Sequence, residues 1–212
     1  VERPVTIVKS ERSFYFEEVP RVSDHHLAAR RRQILDAARA CFMRKGFHAS
    51  SIQDVIAEAG LSVGAVYRYF PSKTHLIRAI VEQVVSEVEE ALGKAAVDES
   101  VPLESAMAQA VELLEPNLGP DGIMRLAVQV WAEALRDETL AEVVAEVYSR
   151  LRAIFVLLAR RAQATGELPA EAEPEQVGAA LFALLIGYGM QKLLTGGPAL
   201  EDYQAGLRAL LP

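Results

Sequence analysis

One cysteine and four histidines are all that this 212-residue chain has of the residues that most often cross-link or bind metals. A lone Cys41 excludes an internal disulfide and suits a reducing, cytoplasmic setting. It falls on an apolar helical face, where it reads as a small core residue. No two of His25, His26, His48 and His75 stand three or four residues apart, so there is no helical metal pair and no HExxH. The chain also lacks a GxSxG turn, a phosphate-binding glycine loop and a dinucleotide fingerprint. Glu89, Glu90, Glu171 and Glu173 read as surface acids. Catalysis, a metal and a cofactor are therefore not expected. No segment alternates as a strand and no internal repeat occurs. The first 27 residues have no long apolar stretch after a basic start, so a secretory signal is not expected. The longest apolar run, Val177 to Met190, is too short to cross about 30 Å of hydrocarbon at about 1.5 Å per residue, which argues against a membrane partner.

Basic charge is scarce overall, with 22 Lys and Arg against 29 Asp and Glu and a net charge of −7. Its distribution is uneven. Residues 21–80 hold ten basic and four acidic residues, a net +6, which leaves −13 for the rest. A basic head on an acidic body gives one electrostatic footprint for nucleic acid and a body that DNA repels.

The head carries the motif. Ser51 is an N-cap, and Asp54 three residues on completes a capping-box pattern. Ile52, Val55 and Ile56 share a face, and Gly60 suits a left-handed helix end. Ser62 caps a second short helix that Pro71 closes. Two helices this short must dock on a third, the arrangement of a helix-turn-helix whose second helix enters the major groove. Small Val63, Gly64 and Ala65 allow close approach to base edges. Tyr67, Arg68 and Tyr69 bring hydroxyls and a guanidinium to phosphates or bases, while Phe70 reads as core. Lys73, in the first turn of the next helix, opposes the helix dipole unless an anion lies nearby. The run Arg30-Arg31-Arg32, placed at the opening of the first long helix, is either a phosphate-contacting group or a solvated face.

Residues 32–80 resemble the DNA-binding domain of the TetR family of transcriptional regulators. The match runs through Ile34-Leu35-Asp36-Ala37-Ala38, Phe42, Lys45-Gly46-Phe47, Ser51-Ile52, Ala59-Gly60-Leu61-Ser62, Gly64, Tyr67-Arg68-Tyr69-Phe70 and Ser72-Lys73. That resemblance implies an inverted-repeat operator in double-stranded DNA. It aligns Tyr67 and Lys73 with phosphate-contacting positions, and Val63, Gly64, Ala65 and Arg68 with base-facing ones. Arg32, Ser51, Ser62 and Tyr69 complete the expected DNA-binding set. Thr74-His75 departs from the family, whose members more often carry an acidic residue there.

The sequence divides into an extension (1–27), the DNA-binding head (28–80) and a helical effector-binding and dimerisation body (81–212). All-helical architecture with about nine helices is expected. A fourth helix runs from Lys73 to Leu92 and ends near Gly93. A sixth, Gly122 to Leu135, is apolar on most sides and thus buried, although Arg125, Gln129 and Glu133 recur every four residues as a solvated stripe. The seventh shows a regular stripe, Leu140, Val144, Val147, Leu151, Ile154 and Leu158. Val5 to Val8 and Phe14 to Phe16, in the extension, fit either a loose arm or a segment folded back on the protein.

The family resemblance further implies a small-molecule effector and a homodimer. Met107, Leu114, Met124, Val128, Trp131, Tyr148 and Phe155 are the candidate effector lining, with plain core packing as the alternative. They favour a bulky hydrophobic or aromatic effector, and the resemblance implies that its binding releases a repressor from DNA. A regulator controlled by a protein partner, or without an effector, is the rival reading. The eighth helix, apolar all round, must be buried on two sides. Pairing it and the ninth helix across a two-fold axis would use Ala180, Leu184, Gly187, Tyr188, Gln191, Tyr203 and Leu207.

Overall fold

The computed structural model describes residues 24–211, so the β-branched and aromatic segments of the extension lie outside the described residues. Nine α-helices follow in order: α1 (Asp24–Lys45), α2 (Ile52–Ala59), α3 (Val63–Tyr69), α4 (Lys73–Val97), α5 (Leu103–Leu114), α6 (Ile123–Ala134), α7 (Glu138–Ala164), α8 (Pro174–Thr195) and α9 (Leu200–Leu210). A 3-10 turn, Glu115–Leu118, follows α5 where Pro116 denies the helix a backbone donor. Among the described residues there is no strand.

Local chemistry explains most boundaries. Ser51 and Asp54 form a reciprocal capping box on α2, and Gly60 ends that helix at φ 64°. Ser62, Ser72 and Asp137 cap α3, α4 and α7 through their side chains. Three expectations change. Helix α1 begins at Asp24, so Arg30 to Arg32 lie within it rather than at its opening, and the helix crosses the boundary drawn at residue 27. Helix α4 continues through Gly93 to Val97, because Leu92, Ala95 and Ala96 bury the same face and outweigh one glycine. Helix α6 buries only Met124, Leu126 and Val130 fully, so it is amphipathic rather than enclosed.

Two hydrophobic cores result. The head core gathers Ile34, Leu35, Phe42, Phe47, Val55, Val66, Phe70, Leu76 and Ile80, with the Phe42 and Phe47 rings edge to face at 5.2 Å. Leu126, Val130 and Leu140, contributed by α6 and α7, belong to this same cluster. Head and body therefore share a packed seam. The body core joins Leu92, Met107, Phe155, Leu158, Phe182, Tyr188 and Leu207. Buried Arg161 donates to the carbonyls of Ala95 and Asp98, closing the C-terminal end of α4, where cationic charge is favoured.

Helix α8 spans 22 residues and has the length and hydropathy of a membrane span. The apolar character thus extends beyond the fourteen-residue run of Val177 to Met190. Its packing gives a different account. Leu181, Phe182, Leu185 and Tyr188 are buried against the rest of the chain, and one stripe stays open.

Candidate nucleic-acid interface and effector cavity

Helix α3 is anchored by one face and open on the other. Val66 is fully buried and Phe70 nearly so, which fixes the helix on the head core. Val63 and Tyr67 are exposed by 59% and 39%, although both are large apolar or aromatic residues. Gly64 and Arg68 are exposed beside them, completing an outward face at i, i+1, i+4 and i+5. Ala65 and Tyr69 are half-buried, with Tyr69 packed on the head core. A Cβ on Gly64 would meet nothing within 4 Å, so the fold itself does not require glycine there. Neither the exposed Arg68 nor the exposed Arg32 has a polar partner among the described residues. A cationic, close-approach surface of this kind suits a polyanion.

The neighbouring charges are committed elsewhere. Arg44 pairs with Glu58 and Lys45 with Asp54, both at 2.5 Å, which holds the two carboxylates well below their usual range. The Ser51 hydroxyl is spent on Asp54, donating to its carboxylate and accepting its backbone N–H, and Ser62 accepts the N–H of Ala65. Arg30 donates to Gln33, and the Arg31 guanidinium lies over the Phe70 ring at 5.4 Å.

Lys73 departs from the expected phosphate contact. Its ammonium donates to the carbonyls of Phe47 at 2.8 Å, Ser50 at 3.1 Å and His48 at 3.4 Å, and sits 4.4 Å from the centre of the Phe47 ring. Burial pushes its pKa down, and Glu133 partly opposes that shift. The charge that conflicts with the α4 dipole is thus offset by three carbonyls of the α1–α2 loop rather than by an external anion.

That loop also meets α6. Gln129 accepts the Phe47 backbone N–H at 2.7 Å, and Glu133 lies 3.1 Å from the His48 ring nitrogen. The stripe expected to be solvated therefore includes the main polar contact between body and head. Sequence reasoning missed it because a four-residue spacing of polar groups looks the same whether it faces water or a loop. Arg78 adds a second bridge, to Glu146 on α7 at 2.5 Å.

Two apolar hollows of about 110 and 100 Å³ lie in the body. Met124, Trp131 and Tyr148 line the first, and Leu114, Met124 and Phe155 the second. Two expected lining residues do not reach them. Met107 is fully buried in solid core between α5 and its neighbours, and Val128 faces the outer side of α6 beside Met43 and Leu193. Phe182 and Ile186, which border both hollows, were not singled out as lining because they sit in a uniformly apolar stretch, and Leu151, which also borders both, had been read only as part of the α7 stripe. The first hollow is walled by Ile77, Leu126 and Val130, which also belong to the head core.

On the proposed dimer face, Ala180 and Gln191 are exposed and Leu184 and Gly187 half-exposed. Tyr188 and Leu207 are not available there. Tyr188 is fully buried, hydrogen-bonded to Glu115 and stacked 4.5 Å from Tyr203, and Leu207 is buried under α9. Tyr203 donates to the Leu184 carbonyl at 2.7 Å, so it fastens α9 to α8 within one subunit. Leu194 and Leu210 are large and exposed; Leu210 was expected beside α8, and Leu194 was not singled out.

Comparison with known proteins agrees with this geometry. Residues 34–80 match the model of bacterial regulatory proteins of the tetR family, and residues 102–211 that of the BetI-type transcriptional repressor C-terminal domain. The regulator YfiR of Bacillus subtilis is 40% identical over 82 residues, 39% of this chain and 40% of that protein. The chain thus spans well under half of that relative. BetI of Klebsiella pneumoniae is 27% identical over 80% of this chain and 85% of its own length. The solved structure of Salmonella enterica GusR superposes with a TM-score of 0.74 at 25% identity, covering 90% of this chain and 98% of that one.

Proposed function

This chain belongs to the TetR family of bacterial regulatory proteins, and from that premise we propose that it is a homodimeric repressor released from an inverted-repeat operator by a small hydrophobic effector. The reading rests above all on the outward face of α3, where Val63, Gly64, Tyr67 and Arg68 stand free on a helix held by Val66 and Phe70. Val63 would touch a thymine methyl, Arg68 a base edge, and Tyr67 a phosphate. Arg32 would add a flanking phosphate contact. Ser51, Ser62, Ala65 and Tyr69 would shape the surface rather than read it.

Two copies would meet through the open stripe of α8, with Ala180, Leu184, Gly187 and Gln191 at its centre and Leu194 and Leu210 at its edge. The protein would then act in the cytoplasm on DNA half-sites about one helical turn or a multiple apart. The effector would fill the hollow bounded by Trp131 and Tyr148. A wall of that hollow is also head core, and the adjoining Gln129 holds the head's α1–α2 loop. Filling the hollow would favour a different placement of α6, and with it a different spacing of the two α3 helices. Release requires only that the effector bind that second arrangement more tightly.

The test is selection of genomic fragments by the purified protein at low salt, followed by sequencing. Fragments sharing one inverted repeat are expected. Uniform retention of all DNA, unchanged in the Arg68→Ala variant, would reject a sequence-specific operator.

A further inference from the structure

The hollows in the body restrict the chemistry of their occupant more closely than the word hydrophobic conveys. Among the described residues, no Asp, Glu, Lys, Arg or His lines either one. A carboxylate or an ammonium placed there would lose its hydration without a counter-charge, which opposes binding. An uncharged occupant carries no such cost.

Shape restricts it further. An apolar cavity of about 150 Å³ takes up benzene, and each hollow is smaller than that, at about 110 and 100 Å³. A bulky polycyclic molecule fits neither. The two are neighbours, however, with Val84, Ile123, Met124, Leu151, Phe182 and Ile186 bordering both. Met124, among that shared set, is unbranched with three rotatable bonds and yields readily to a thin guest. A guest that occupies both hollows must be narrow and long.

One end carries hydrogen-bond donors without a partner, whereas Asn117, at the other, donates its amide to the Leu113 carbonyl. Trp131 and Tyr148 meet edge to face at 5.7 Å in the wall of the first hollow. Neither the indole N–H nor the phenol O–H has a hydrogen-bond partner among the described residues. Both donate, neither is sealed from water, and the wall of the hollow is otherwise apolar, so an occupant whose acceptor oxygen reaches them takes the place of water there. The second hollow extends away from them, toward Leu113 and Asn117.

We infer that the body binds a neutral, unbranched acyl or alkyl chain with one acceptor oxygen, the oxygen at Trp131 and Tyr148 and the chain lying through the hollow between α4, α5 and α8. This rests on the reading of the hollows as the effector site and narrows it to one chemical class.

Trp131 is the only tryptophan of the chain, so its fluorescence reports on the site directly. The intact protein is titrated with methyl decanoate, decane, decanoate, decyltrimethylammonium, methyl butyrate and naphthalene, with binding also followed by calorimetry. Methyl decanoate should bind at least 100-fold more tightly than methyl butyrate and at least 10-fold more tightly than either ionic probe. Tyr148→Phe keeps the ring and removes the hydroxyl. It should weaken methyl decanoate about fivefold and leave decane unchanged, a pattern that general loss of folding would not produce. Equal binding of decanoate or decyltrimethylammonium overturns neutrality, naphthalene binding best overturns the chain, and no binding by any probe overturns the inference outright. Operator release is scored separately. Naphthalene releasing DNA would leave the repressor reading standing without this inference, whereas methyl decanoate binding without release would do the reverse.

Discussion

Gln129 on α6 accepts the backbone N–H of Phe47 at 2.7 Å, across 82 residues of sequence. The contact joins the body to the loop between the first two helices of the head. Phe47 itself is buried and stacks on Phe42, so a shift of α6 is transmitted to the head core and not only to a surface loop. Gly46, at φ 84°, turns the chain just before the Phe47 N–H that meets α6, and a Cβ there would crowd the Gln129 oxygen at 3.3 Å.

Gln129→Leu should therefore leave the Phe47 N–H without its acceptor. A lost partner for a partly buried donor costs about 1–3 kcal/mol. The expected outcome is a rise of at least tenfold in amide hydrogen exchange at Phe47. An unchanged rate, with the variant folded, would mean that the loop is held without α6.

Gly64 separates fold from function. Helix interiors favour alanine over glycine by roughly 0.5–1 kcal/mol, and a Cβ at Gly64 meets nothing within 4 Å. Gly64→Ala should raise the thermal midpoint slightly, while Gly64→Leu should remain folded and lose operator affinity by at least tenfold. Undiminished operator binding by Gly64→Leu would remove this face of α3 from the interface.

The motif of the head was legible because it is local. Ser51, Asp54, Gly60 and Ser62 fix two helices through contacts within a few residues, and their spacing is readable without tertiary knowledge. The partners of Lys73 were not legible, for the opposite reason. Its partners are carbonyls 23 to 26 residues upstream, and a carbonyl leaves no residue-type signature. The body was legible as helices and poorly as a site. Met107 and Trp131 look alike as large apolar residues in periodic helices, and only packing decides that one fills space and the other borders it. Tyr188 was misjudged similarly, since α8 is apolar on every face and its sequence does not say which face turns inward.

Lys73→Met follows from the corrected placement. The substitution keeps the apolar stem and leaves the carbonyls of Phe47 and Ser50 short of a donor, with an expected loss of about 1–3 kcal/mol. The logarithmic slope of DNA affinity against salt should stay close to that of the parent protein. A slope shallower by about one would return Lys73 to the phosphate-contacting set.

The capping box should give the head a pH dependence of definite sign. Lys45 donates to the Asp54 carboxylate, and the hydroxyl and backbone N–H of Ser51 donate to it as well, so its pKa lies far below the unfolded value of 3.8. A carboxyl depressed on folding contributes stability that is fully present above its unfolded pKa and is lost as pH falls through that value toward the folded one. The window is therefore below about pH 5, and neutral pH lies on its plateau. Glu58, lowered by Arg44, acts in the same direction. Asp54→Asn can still accept from Ser51 but cannot pair with Lys45 as an ion. The variant should be less stable than the parent at pH 7, and the difference should shrink as pH is lowered from 5 to 3. Thermal melts followed by circular dichroism across that range would test it. A difference between the two proteins that stays constant down to pH 3 would show that the ionised Asp54 contributes nothing beyond the cap itself.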